Sequence, residues 1–121
     1  MDHNERLDIL EQNGVIVTRA RLLTEEFLAK LKQKMILDWE MESSLMFITH
    51  TAVALDRMIK EIPMEDVPDE LRQQIKEHDL AYRITVDLLA ELAENFGMPL
   101  KHTEAEVLFI ACYIKVLMKV E

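Results

Sequence analysis

Gly14 and Gly97 are the only glycines in this chain of 121 residues, and three prolines complete its stock of turn-formers. An all-β fold reverses direction too often to be built with so few of either. The remaining composition is dominated by Leu, Glu, Ala, Met and Lys, which favour helix. The expectation is an all-α protein, a compact bundle of about five helices. Half of the residues are hydrophobic, enough to fill one core. Residues 1–121 therefore read as a single domain, with a short helix and turn over 1–14 and the main bundle over 15–121. Eight methionines suit adaptable packing between helices.

Asn4 is the expected cap of a first helix carrying Leu7, Ile9 and Leu10, which Asn13 and Gly14 end. Val15, Ile16 and Val17 have no partner strand in view and read as an apolar lead-in. A second helix runs from residue 18 or 20 to 36, with Leu23, Phe27, Leu28, Leu31 and Met35 on its inner face. Asp38 would cap a third helix reaching about Glu61, with Glu40 and Glu42 in its first turn. Ile62 to Pro68 forms an acidic loop bounded by prolines, and Pro68 suits the first turn of a fourth helix. That helix continues to Phe96, with a bend near Glu77, His78 and Asp79, and stops at Gly97. Thr103 and Glu106 have the spacing of a capping box for a last helix over 105–120, apolar nearly all round and so the most buried element.

Several function classes fall away on charge and composition. A formal net charge of −9 repels a nucleic-acid backbone, whose affinity for proteins comes largely from Lys and Arg. No basic run or RNA-stacking motif offsets it. Direct nucleic-acid binding is not expected. No apolar run approaches the ~20 residues needed to span a bilayer, and residues 1–6 have no signal-peptide pattern. The chain reads as cytoplasmic, with no membrane partner. Cys112 is the sole cysteine, which rules out an intrachain disulfide, and it reads as a buried thiol. No Glu-x-x-His or His-x-x-x-His pair sets up a metal site, and no glycine-rich loop cradles a phosphate. Neither a cofactor nor a metal is expected, nor is an enzyme.

The third helix holds the chemistry. In Phe47-Ile48-Thr49-His50-Thr51-Ala52-Val53-Ala54-Leu55-Asp56-Arg57, one histidine sits in an almost wholly apolar helix. Arg57 follows it by seven residues, roughly two turns, and lies about 10.5 Å along the same line. Imidazole is the side chain most readily made nucleophilic near neutral pH. Guanidinium is the best holder of a phosphate. The pair suggests a phosphorylatable histidine beside an anion-binding group; the competing reading is a core or interface histidine bonded to a backbone carbonyl. Leu45, Ile48, Ala52, Leu55 and Ile59 form a core stripe, while His50 faces nearly the opposite way with Met46, Phe47, Val53, Ala54 and Arg57. A helix apolar on two faces is either central to its domain or sandwiched against a partner. His78 lies among acidic residues and reads as a solvated histidine, a fallback acceptor only. His3 and His102 read as exposed and inert, and Trp39 as a packing residue.

Three segments resemble the phosphotransferase-system regulation domain of bacterial antiterminators and sugar-operon activators. Thr49 to Arg57 is similar to that family's first histidine segment. Ala81 to Gly97, followed by Thr103, is similar to its long penultimate helix and turn. Glu106-Val107-Leu108-Phe109-Ile110-Ala111-Cys112-Tyr113-Ile114 resembles its closing Glu-x-x-aromatic-Ile-Ala-x-His-Ile signature. The resemblance implies that a phosphocarrier protein or a sugar-transporter subunit phosphorylates His50, that Arg57 steadies the phosphoryl oxygens, and that the protein acts in transcriptional control, as a homodimer or through a protein partner. Tyr113 stands where the family has its second histidine. A phenol with a pKa near ~10 is a poor nucleophile while protonated, so two-histidine logic reduces to His50 alone. Family members usually carry an attached nucleic-acid-binding module; a stand-alone unit would need a protein partner to convey its state. The alternative within the same fold is a degenerate dimerisation or adaptor module that exchanges no phosphate.

Overall fold

The computed structural model describes residues 2–62, 64, 66, 68–75 and 79–118. Among these are six helices and no strands: α1 His3–Gln12, α2 Thr18–Lys34, α3 Ser43–Ile59, α4 Asp69–Gln74, α5 Leu80–Phe96 and α6 Glu104–Leu117. Helices α2, α3, α6 and α5 contact one another in that cyclic order, making a four-helix ring. Helix α1 lies on α3 and α2, and α4 lies on α6. Leu23, Phe27 and Leu31 of α2, Ile48, Leu55 and Met58 of α3, Leu88 and Leu92 of α5, and Ala111, Ile114 and Leu117 of α6 have no exposed surface. Leu7 and Leu10 add α1 to the same core.

The all-helical bundle is as the sequence implied, but its boundaries differ where tertiary contacts compete with local signals. Asp2, not Asn4, caps α1: its carboxylate accepts the Glu5 N–H at 2.8 Å. Asp38 does not start α3. Its N–H donates to the Leu117 carbonyl at 2.7 Å, beside an isolated bridge between Leu37 and Met118. Anchoring the chain to the end of α6 keeps it extended there, so α3 begins only at Ser43, with Glu42 at its N-cap, and neither Glu40 nor Glu42 lies in its first turn. The single fourth helix is in fact two. Lys115 of α6 reaches the Gln74 carbonyl at 3.0 Å and the Asp79 carboxylate at 3.3 Å, tying the end of α4 to the start of α5. The bend expected at His78 falls outside the described residues, whereas the last helix, expected to reach residue 120, already ends at Leu117, because Met118 is extended and bridges to Leu37.

Other punctuation agrees with expectation. Gly97 ends α5 in the left-handed region at φ +63°, which glycine adopts without a Cβ clash. Val15 to Val17 forms no strand, and only Ile16 of the three is buried. Asp56, on α3 and 4% exposed, supplies a cap at a distance: it accepts the Val17 N–H at the head of α2 and pairs with Lys60 at 2.6 Å. Helix α3 meets α1, α2 and α6, which makes it central to the bundle.

Candidate functional site

His50 emerges on α3 where that helix meets α6, and its ring is neither sealed nor free. Tyr113 stacks on it with ring centroids 5.2 Å apart and planes 25° from parallel. Phe109, one helical turn earlier on α6, meets it edge-on at 5.2 Å. Both contacts follow from the i, i+4 geometry of α6, which sets the two rings on one face. Phe47 links this group to Trp39, whose ring also takes His3 at 5.1 Å and lies under the Lys32 ammonium at 5.0 Å. His3 is therefore half-buried against an aromatic ring, not the exposed residue the sequence suggested. His102 is exposed, its Nδ1 3.1 Å from the Leu100 carbonyl.

Burial, and after it the Arg57 charge, hold the His50 imidazole below its ordinary pKa. The ring is therefore neutral near pH 7, with a lone pair available for attack. Burial pushes the Tyr113 phenol up, with Cys112 adding to the effect, so the phenol stays protonated. Cys112 is half-buried, and burial likewise raises its thiol, opposed by Lys115. A cavity of about 170 Å³ lined by Leu71, Phe109, Cys112 and Tyr113 opens beside this cluster.

Arg57 points from α3 to α6. Its Nε donates to Glu106 Oε1 at 3.0 Å and an Nη to Oε2 at 3.3 Å, a paired contact with a carboxylate that has no exposed surface. Glu106 Oε1 also accepts the Met64 N–H at 2.6 Å. The expected capping box is thus only half formed. Thr103 Oγ1 accepts the Glu106 N–H at 3.3 Å, but the Glu106 side chain is spent on Arg57 and Met64. The sequence reading missed Glu106 as the partner of Arg57. A signal existed: a carboxylate at a buried position of an apolar helix requires a cation, and Arg57 is the one charged residue on the apolar His50 face of α3. Among the described residues no group of three His, Cys, Asp or Glu side chains is arranged to hold a metal ion.

Fold and site together describe a small all-helical domain that presents one half-exposed histidine between two aromatic rings. The PRD-domain family model matches residues 25–116, most of the chain, and the protein belongs to that family. PRD domains are regulatory, governed by the phosphotransferase system, and not catalytic. No curated protein and no solved structure matches the chain. No helix among the described residues is long and apolar enough to cross a membrane.

Proposed function

We propose that this PRD domain is a phosphorylation-responsive regulator of sugar uptake in the cytoplasm, with His50 as its acceptor. The observation that carries the reading is the state of the His50 ring: half-exposed, held by Tyr113 and Phe109, and kept neutral by burial and by Arg57. A phosphocarrier protein or a sugar-transporter subunit would present a phosphohistidine. The His50 lone pair attacks its phosphorus in line; the donor P–N bond breaks as the His50 N–P bond forms, and the departing imidazole keeps the electron pair and takes a proton. The domain contributes position and charge stabilisation. Up to two negative charges then sit on a partly apolar surface of an acidic protein, shifting its affinity for a protein partner or a second copy, and through that contact transcription.

One observation favours the passive adaptor instead. Arg57 is engaged with Glu106, so in this structure its guanidinium is not waiting for a phosphate. Phosphoenolpyruvate with the general phosphotransferase components separates the two readings. Acid-labile label that disappears in His50→Ala supports the regulator. Absence of label, or label indifferent to that substitution, leaves the adaptor.

A further inference from the structure

His50 is oriented without a hydrogen bond. Among the described residues neither nitrogen of its ring has a partner, so the bond to a backbone carbonyl that a core histidine makes is not formed. Three rings brace one another instead. Tyr113 stacks on His50 at 5.2 Å, Phe109 meets it edge-on at 5.2 Å, and Tyr113 and Phe109 are themselves 5.7 Å apart. Phe47, which has no exposed surface, backs Tyr113 at 6.3 Å, so the stacked ring is fixed from the core side. The charged groups at this interface do not replace the missing bond. Arg57, on the same helix, is a cation, and Glu106 on α6 is spent on Arg57 and the Met64 N–H. The Tyr113 phenol stays protonated.

We propose that Tyr113 and Phe109 are positioning residues that prolong the life of a phosphoryl group on His50, by fixing the ring and keeping water from its faces. The inference rests on the reading of His50 as acceptor given above. In hydrolysis water attacks phosphorus and the P–N bond breaks, its electron pair staying on the ring nitrogen. Over the whole step one proton of the water ends on the ring and hydrogen phosphate leaves. The step is slow from a neutral ring, which would have to depart as imidazolate. It is fast once the far nitrogen is protonated, since the ring then departs as neutral imidazole. Protonation makes the ring a cation, and burial disfavours a cation. Two aromatic rings in place of water impose that burial, and the Arg57 charge opposes a second positive charge beside it. The same contacts that orient the imidazole thus keep it unprotonated, and an unprotonated ring holds its phosphoryl group.

Potassium phosphoramidate loads the ring without any donor protein: the imidazole nitrogen attacks its phosphorus and ammonia leaves. The chain has four histidines, so every protein tested has His3, His78 and His102 replaced by Gln. After the reagent is removed, the half-life of phosphoryl on His50 is followed by phosphorus NMR across neutral pH. Tyr113→Leu keeps apolar volume but no ring, and Phe109→Leu does the same for the edge contact; circular dichroism checks the folding of each. Both should shorten the half-life, Tyr113→Leu by about fivefold or more, and the rise in hydrolysis on acidification should begin at higher pH. Tyr113→Phe retains the stack and should stay within about twofold of the parent. Unchanged half-lives in both leucine variants would overturn the inference. So would a longer half-life in Tyr113→Leu, which would show the ring face stabilising the imidazolium instead. A loss in Tyr113→Phe equal to that in Tyr113→Leu would place the effect in the hydroxyl and overturn it as well, as would a His50 ring that the reagent cannot modify. Failure of the phosphotransferase components to label His50, with the reagent-made phosphohistidine behaving as expected, would sink the proposed donor and leave the lifetime effect standing.

Discussion

Tyr113 lies almost flat against His50, ring centroids 5.2 Å apart and planes 25° from parallel. The phenol ring does more than fill space between α3 and α6. It places an uncharged ring face on the imidazole, which limits the rotamers of His50 and partly dries it.

Removing that face should be measurable. Tyr113→Ala is expected to lower stability by about 2 kcal/mol, reflecting a half-buried aromatic that loses its ring contacts with His50, Phe109 and Phe47. Tyr113→Phe keeps the stack and should stay within about 0.5 kcal/mol of the parent. Urea unfolding of the two variants makes the comparison, and equal losses in both would place the importance of Tyr113 in its hydroxyl.

Stability should fall on mild acidification. Burial first, then Arg57, holds His50 below its ordinary 6.5, so the unfolded chain binds a proton there before the folded one does. That contribution is complete above 6.5 and is lost as pH falls through the folded-state value. His3 shifts in the same direction, through burial and then Lys32, against an opposing effect of Asp2. Glu11, lowered by the hydrogen bonds of Thr18 and Arg21, matters only below its ordinary 4.5. Urea midpoints from about pH 7.5 to pH 5 should therefore decline less steeply in His50→Gln and in His3→Gln. A parent curve flat over that range would contradict the shifted histidines.

Glu106→Ala is expected to cost about 3 kcal/mol, because it strands the Arg57 guanidinium and the Met64 N–H together. The half-buried pair of Lys30 with Glu26, 3.8 Å apart and with Lys30 also held by Glu91, provides the contrast. Glu26→Ala should change stability by no more than about 0.5 kcal/mol. Thermal melts of the two variants at one pH decide whether burial sets the difference.

Two backbone positions should respond in opposite directions. Glu61 is the one non-glycine described residue with positive φ, at +61°, just past the end of α3. Glu61→Gly relieves that conformation and should stabilise the protein by about 0.5 kcal/mol. Gly97→Ala puts a Cβ on a backbone at φ +63°. Open space surrounds it, so the expected loss of about 1 kcal/mol is conformational strain alone. Denaturant midpoints moving the same way would exclude this account.

Apolar spacing and scarce glycine were enough to read the all-helical bundle, because burial of a helix face is written as a local period of three and four residues. Gly97 was readable for the same reason: the need for a left-handed residue after a helix is local. Asp38 shows where that stops. Its residue type is right for a cap, but pairing with Leu117, distant in sequence, gives its backbone another use. Asp56 makes the converse case, an acid inside α3 that caps α2 across the bundle.

At the site, sequence alone determined that a histidine and an arginine share one line on α3, since helical rise and twist place side chains without reference to the rest of the chain. Only the tertiary structure decided what each of them meets: Tyr113 and Phe109 for His50, Glu106 for Arg57. Those partners all lie on α6, roughly fifty to sixty residues away, and no local rule relates them. The contacts exist because packing α6 against α3 brings a buried carboxylate and two aromatic rings to the face of α3 that carries His50 and Arg57.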